Sequence, residues 1–557
     1  MNPSLPLSRT GGQILVDALK LQGVDTAFCV PGESFLAAID AFHDARDHIR
    51  LVVCRQEGGA AHMAEATGKL TGRPGICFAT RGPGATNASI GVHTARQDST
   101  PLILFVGQVA RDCMGREAWQ EIDYRHMYGH IAKWVDQIDS AKRIPEYINR
   151  AFHVATAGRP GPVVLALPED VLTEQAQVAD CPPARRALAS PGVGDMEELA
   201  RRLAQAQRPL VILGGGGWTR QASAQIAAFA QSHDLPVACA FRRQDLIDNQ
   251  HPCYVGEAGL GMDPRLAKRI AQADLILAIG PRLGETTTNG YTLLNVPRPA
   301  QSLIHVHADP EELGRVYHAD LAINAAMPAF AAATAALAAP AQRPWAAWTA
   351  QARADYQDNL LPGAMPGAVD LGRIMVRLRE TLPADTIVSN GAGNYTLWVQ
   401  RFYQYRGLRT QLAPTSGTMG YGLPAAIAAK LAHPDRTALC FAGDGCFLMN
   451  GQELATAVQY GLNVLVIVVN NGMYGSIRMH QERHYPGRVC ATDLDNPDFA
   501  QLARAYGAHG ETVERTEDFD DALQRALASG KPALVELRVA QEAVSPRATI
   551  ESLRNRS

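Results

Sequence analysis

Leu439-Cys440-Phe441-Ala442-Gly443-Asp444-Gly445, and further on Leu465-Val466-Ile467-Val468-Val469-Asn470-Asn471, are the two segments whose reading decides the fold. Each is a short, unbroken apolar run, the pattern of a strand buried on both faces of a parallel sheet, and each ends in polar groups. Between them, residues 451–461 carry Leu454, Ala457 and Val458 at helical spacing, so the whole predicts strand, helix, strand. Asp444 and Asn471 then stand at neighbouring strand tips. A carboxylate and an amide oxygen are hard donors, suited to a Mg²⁺ that keeps its other positions for water and phosphate oxygens.

Gly443-Asp444-Gly445 alone is weak, since many strand-to-helix turns carry such a triplet. With Asn471 placed 27 residues after Asp444 across a β–α–β unit, the run closely resembles the thiamine-diphosphate fingerprint. The resemblance implies that Asp444, the Asn471 side chain and the Met473 carbonyl hold Mg²⁺.

Outward from this unit the same grammar repeats. Apolar strands are expected at 26–30, 51–54, 75–80, 102–107 and 162–167, at 210–213, 275–279 and 303–307, and at 386–389 and 533–538. Proline-rich stretches at 168–195 and 337–368 read as linkers. The expectation is an α/β protein of three doubly wound parallel-sheet domains, at 1–185, 190–340 and 365–557. Residues 541–557 form a polar tail that either closes over the site or stays disordered.

Composition narrows the classes. The 557 residues are 46% hydrophobic and 19% charged with a net charge of −3, which argues against nucleic-acid and membrane partners. Ten cysteines occur without a Cys-x-x-Cys pair, and Cys29, Cys54, Cys77 and Cys440 sit in apolar strands, as small buried hydrophobes of a reducing compartment do. The N-terminal residues 1–9 hold no apolar core of signal-peptide length and no run of 18 apolar residues occurs, so a soluble, cytoplasmic protein is expected. His126 and His130, four apart, could mimic a metal pair, but without a third ligand they read as ordinary helix histidines.

Leu51-Val52-Val53-Cys54-Arg55-Gln56-Glu57 places a glutamate just beyond a buried strand. Taken alone, Glu57 complements a positive helix end. Beside a thiamine-diphosphate clamp it acquires a second reading. A carboxylic acid bonded to pyrimidine N1′ favours the imino form, whose N4′ can remove the C2 proton. Such a glutamate is expected in a dry, apolar setting.

Over nearly its full length the chain is similar to the acetolactate synthase–pyruvate oxidase family of thiamine-diphosphate enzymes. The resemblance is carried by Val30-Pro31-Gly32, Arg55-Gln56-Glu57-Gly58-Gly59, Arg81-Gly82-Pro83-Gly84-Ala85-Thr86-Asn87, Gly107-Gln108-Val109 and Gly417-Thr418-Met419-Gly420-Tyr421-Gly422, besides the clamp. It implies a pyrimidine-binding, a central Rossmann-like and a diphosphate-binding domain. It also implies an active site shared between subunits, hence at least a homodimer, and a homotetramer by expectation. Met419 matches the side chain that wedges beneath the cofactor, and the Gly417 carbonyl matches the acceptor for N4′. Gly393, Asn394 and Tyr395 match the loop touching the diphosphate. Gly443, Gly445, Tyr474 and Gly475 complete the cofactor set, with Gly475 and Ser476 starting a helix. Glu33 and Gln120 are candidate catalytic groups facing the substrate.

The chain also departs from its relatives. His480 stands where acetolactate synthases carry a Trp, and Arg478 replaces an apolar residue. With Ile477 these form the expected substrate pocket, the cation facing either an extra substrate carboxylate or solvent. Gly214-Gly215-Gly216-Gly217 could cradle a pyrophosphate or be a turn, and Gly280-Pro281-Arg282-Leu283-Gly284-Glu285 keeps the arginine but loses the Phe-Asp-Asp-Arg of flavin-binding relatives. The reading therefore leans against FAD, toward an empty domain or a nucleotide such as ADP. The function expected is a thiamine-diphosphate- and Mg²⁺-dependent carboligase, acetolactate-synthase-like, acting on 2-oxo acids. The alternative is a benzoylformate-decarboxylase-like decarboxylase or a 2-hydroxyacyl-CoA-lyase-like enzyme. A non-catalytic relative predicts a broken site, yet Glu57, Asp444, Asn471 and Met419 are all present.

Overall fold

The computed structural model describes residues 7–555. The chain separates into two compact units, one formed by residues up to Ala187 with Ile427–Ala432, the other by Leu188–Ala426 and the residues from His433 onward.

The first unit is built on a six-stranded parallel sheet whose spatial order is Arg50–Val53, Thr26–Cys29, Gly75–Ala79, Leu102–Gln108, Pro162–Pro168, Trp134–Gln137. Numbered along the chain this is 2-1-3-4-6-5. Ile76, Phe78, Ile103, Phe105, Val163 and Leu165 face a core shared with the helices Gly11–Leu21 and Ile144–Thr156.

The second unit holds two such sheets. One runs Tyr254–Ala258, Val237–Ala240, Pro209–Leu213, Leu275–Ile279, Ser302–His307, Leu321–Asn324, the 3-2-1-4-5-6 order of dinucleotide-binding folds. The other runs Gln411–Leu412, Ile387–Asn390, Ala438–Gly443, Val464–Asn470, Ala533–Arg538, His509–Val513, again 2-1-3-4-6-5. All pairings in it are parallel, and Leu439, Phe441, Leu465, Ile467, Val535 and Leu537 are buried, which is why both deciding segments read as unbroken apolar runs.

Every strand expected from sequence is present, with ends shifted by a residue or so. The strands missed are mostly edges: Trp134–Gln137, Tyr254–Ala258, Leu321–Asn324, Gln411–Leu412 and His509–Val513 are short or interleaved with polar residues. Val237–Ala240 is internal, but its Val-Ala-Cys-Ala is weakly apolar. The stretch 337–368 is not all linker: Ala346–Asn359 is a helix. Trp345, Thr349, Ala352 and Tyr356 recur at helical spacing there and are buried, a stripe that the surrounding prolines obscured. The tail is ordered as far as described, with a small hairpin of Ala543–Ser545 and Ala548–Thr549 leading to the helix Ile550–Arg554. No described helix is long and apolar enough to cross a membrane.

Candidate active site

In the last sheet the chain winds one way from Ile387–Asn390 and the other way from Ala438–Gly443, so a crevice opens where their C-terminal ends diverge. One wall is the loop of Gly393, Asn394 and Tyr395, and the facing wall is Gly443, Asp444 and Gly445. Asn471, Met473, Tyr474, Gly475 and Ile477 close a third side, and Gly417 and Met419 the fourth, around a cavity of about 190 Å³. Thirteen residues singled out in sequence thus meet around one space, although they come from four separate segments.

The glycines here are forced by close approach. A Cβ at Gly443 would stand 3.0 Å from the Tyr395 ring, and one at Gly445 would stand 2.6 Å from the Tyr474 ring. Tyr395 is buried and forms a floor, its hydroxyl accepting from the Gly391 amide at 3.0 Å and lying 3.4 Å from Cys446 Sγ.

Asp444 is 4% exposed, and burial pushes its pKa up against the opposing hydrogen bonds. Oδ1 accepts from the Gly445 amide, and Oδ2 from the Gly472 amide and Asn496 Nδ2, all at 2.8–2.9 Å. Asn471 Oδ1 accepts from the Met473 amide at 3.2 Å. Among the described residues no three His, Cys, Asp or Glu converge on a metal position. The donors here are a carboxylate, an amide oxygen and a backbone carbonyl, an all-oxygen set that fits a hard cation and not a soft one. Sequence reasoning missed Asn496, together with Asn470 and Glu536 behind it. Their signal was a polar residue in a loop and a lone acid inside an apolar strand.

The helix Gly475–His484 begins at the cavity. Asn394 braces that start: its Nδ2 donates to the carbonyls of Gly475 at 3.2 Å and Val544 at 2.7 Å, and its Oδ1 accepts from Ser476 Oγ at 2.8 Å. Its side chain therefore ties the loop to the helix and to the C-terminal hairpin. Val544, Ile550 and Leu553 pack with Met473, so the ordered tail supports the loop after Val464–Asn470 from behind.

Of the three expected substrate residues, Ile477 lines the cavity and is 56% exposed. His480 is exposed, its ring stacked on that of His484. Arg478 does not line the cavity. Its guanidinium bonds Glu482 at 3.0 Å and Asp493 at 3.2 Å, because one turn along the helix is the nearest buried carboxylate.

Glu57, Glu33 and Gln120 belong to the first unit, at the C-terminal edge of its sheet. Glu57 opens the helix Glu57–Thr71, with Gln56 capping it through a bond to the Gly59 amide at 3.0 Å. Within its own unit Glu57 is half-buried, not dry, and Asn87 Nδ2 donates to its Oε2 at 2.9 Å. A Cβ at Gly84 would stand 3.0 Å from Glu57 Oε1, so the Arg81–Asn87 motif supplies both room and a donor to this carboxylate. Glu33 is exposed in a short turn after Thr26–Cys29. Gln120 is half-buried with φ +64°, beside the exposed Trp119, and its carbonyl accepts from the Gly82 amide at 3.0 Å. His126 is exposed and bonded to Asp123, and His130 lies in the turn that follows.

In the central sheet, loop 214–217 lies hard against the loop after Leu275–Ile279. A Cβ at Gly215 would stand 2.0 Å from the Gly280 carbonyl, and one at Gly280 would stand 2.4 Å from that of Gly214. Backbone packing between strand ends is what demands these glycines.

The sequence matches three domains of one family: the thiamine pyrophosphate enzyme N-terminal TPP binding domain over residues 9–127, the central domain over 196–334, and the C-terminal TPP binding domain over 391–537. It is 32% identical to the acetolactate synthase isozyme 2 large subunit of Escherichia coli (strain K12) over 541 residues, covering 95% of each chain. It is also 32% identical to the acetolactate synthase large subunit of Parasynechococcus marenigrum (strain WH8102), covering 97% of this chain and 89% of that one. A probable acetolactate synthase large subunit of Methanocaldococcus jannaschii is 31% identical, covering 95% and 91%.

Proposed function

The chain belongs to the thiamine pyrophosphate enzyme family, and from that premise we propose that it is an acetolactate-synthase-like carboligase using Mg²⁺ and 2-oxo acid substrates. The observation that carries this is the single cavity bringing Gly393, Gly417, Met419, Asp444, Asn471 and Met473 together at a sheet's switch point.

In this reading Asp444, Asn471 and the Met473 carbonyl hold the metal, and the first amides of Gly475–His484 face the diphosphate. The Gly417 carbonyl would accept from the aminopyrimidine and Met419 would support the cofactor rings from below, so that proton transfer would be near-intramolecular. Glu57 of a partner subunit would share its proton with pyrimidine N1′; covering by the subunit that carries Asp444 and Asn471 would dry a carboxylate that is half-buried in its own unit. With thiamine diphosphate bound there, the chemistry supplied would be a nucleophilic carbon for the 2-oxo acid and a thiazolium ring as sink for the electron pair left by CO₂. Exposed Leu36, Ile90 and Trp119 in one unit, and Leu448 and Met449 beside the clamp in the other, are surfaces that a homodimer or homotetramer covers. Glu33 and Gln120 stay candidate substrate groups on the side contributed by the first unit.

A second reading is a decarboxylase or lyase, since by the resemblance His480 stands at the position of a Trp in acetolactate synthases, which puts the biosynthetic acetolactate synthase assignment in doubt. Incubation with pyruvate separates the two. Acetolactate as product supports the carboligase; acetaldehyde alone, or no turnover, overturns it.

A further inference from the structure

We propose that Asn496 is a positioning residue of the metal site, holding the Asp444 carboxylate in one orientation for the cation. The proposal rests on the reading of Asp444, Asn471 and Met473 as a metal clamp, and concerns how that clamp is set.

Glu536 is 1% exposed in the strand Ala533–Arg538. Its Oε2 accepts from Thr512 Oγ1 at 3.1 Å and its Oε1 from Asn470 Nδ2 at 2.7 Å. A carboxylate accepts and does not donate, so the group that Asn470 turns toward it must be the NH₂. The Asn470 oxygen therefore points the other way, and accepts from the Gly472 amide at 3.1 Å and from Asn496 Nδ2 at 3.0 Å. That in turn fixes the Asn496 amide, whose NH₂ must face Asn470. The same NH₂ donates its other hydrogen to Asp444 Oδ2 at 2.9 Å, beside the Gly472 amide at 2.8 Å.

A directed series thus runs from a buried carboxylate through two amides to the clamp aspartate, with each orientation dictated by the one before. Oδ2 of Asp444 takes two donors from within the protein, whereas Oδ1 takes the adjacent Gly445 amide at 2.8 Å. Asn496 sits in the loop ahead of the helix Phe499–Ala505, which is capped by Asp498 and not by Asn496. Its side chain serves the strand tips.

The test uses apo protein, saturating thiamine diphosphate and Mn²⁺ as the probe, with bound metal read by electron paramagnetic resonance and the apo melting temperature read in parallel. Asn496→Ala is expected to weaken Mn²⁺ by about 10–100-fold, the usual cost of removing a partner of a metal ligand. The apo melting temperature should stay within about 2 °C of wild type. The isosteric Asn496→Asp, which turns an acceptor toward Asp444, should lose at least as much affinity. Mn²⁺ affinity within about twofold of wild type in both variants overturns the proposal, as does a fall in apo melting temperature, with or without a fall in affinity. Wild-type protein that takes up no Mn²⁺ with thiamine diphosphate sinks the clamp reading itself, a different outcome from an insensitive Asn496.

Discussion

Arg478 Nε lies 3.0 Å from Oε1 of Glu482, one helical turn further on, and the Glu482 side chain has no exposed surface. Arg554 of the last helix bonds the same carboxylate with both Nε, at 2.8 Å, and Nη2, at 2.7 Å. The Gly487 amide adds a donor at 2.9 Å. The cation expected to face substrate or solvent is thus part of a lock between the helix Gly475–His484 and the C-terminal tail.

Replacing Arg478 with alanine should therefore reduce stability more than binding. Arg554 and Gly487 remain on Glu482, so a loss of about 1–3 kcal/mol in urea unfolding is expected. KM for a 2-oxo acid should stay within about threefold. A hundredfold rise in KM with unchanged stability would return Arg478 to the substrate.

The lock has a pH signature. Arg554, then the Gly487 amide and Arg478, hold the Glu482 carboxyl down to about 2. Its folded pKa is depressed below the ordinary glutamate value of about 4.3, so the stabilisation is present above that value and is lost as pH falls toward 2. Arg554→Ala should melt below wild type at pH 6, and the gap should narrow through pH 4 to pH 3. A gap that does not change with pH contradicts the assignment.

If Glu57 shares its proton with the cofactor as proposed, Glu57→Gln removes that carboxyl but keeps its shape. Exchange of the cofactor C2 hydrogen, followed by NMR in D₂O, should slow by about 10²–10⁴-fold. Near-normal exchange would mean that another group activates the cofactor.

The central domain should purify without flavin. Gly214, Gly215 and Gly280 are taken up by packing between two strand ends, and Arg282 stands without the acidic run that accompanies it in flavin-binding relatives. A visible spectrum lacking a band near about 450 nm is the expected result, and a band there reverses it.

The cluster of Asp444 and Asn471 at the strand tips was legible because its information is local. Leu465–Val469 must be apolar in a sheet covered on both faces, Gly443 and Gly445 must lack side chains beside Tyr395 and Tyr474, and Asp444 and Asn471 follow directly from their strands. Trp345, Thr349, Ala352 and Tyr356 were legible in principle, since their helical spacing survives inside a proline-rich stretch. Edge strands such as His509–Val513 were not, because only one neighbour and one buried face constrain their composition.

The sequence by itself determined the parallel sheets and the residues at the strand tips, since periodicity and spacing along the chain encode which groups arrive at a sheet edge, and its resemblance to a known family determined the cofactor class. Tertiary structure alone decided what those groups bond. Arg478 could face substrate, solvent or Glu482, and Asn496 could be a loop residue or a partner of Asp444. The choice depended on where segments as distant as Glu536 and Arg554 come to rest. Hydrogen-bond partnership is set by three-dimensional proximity and burial, and no spacing within one segment carries it.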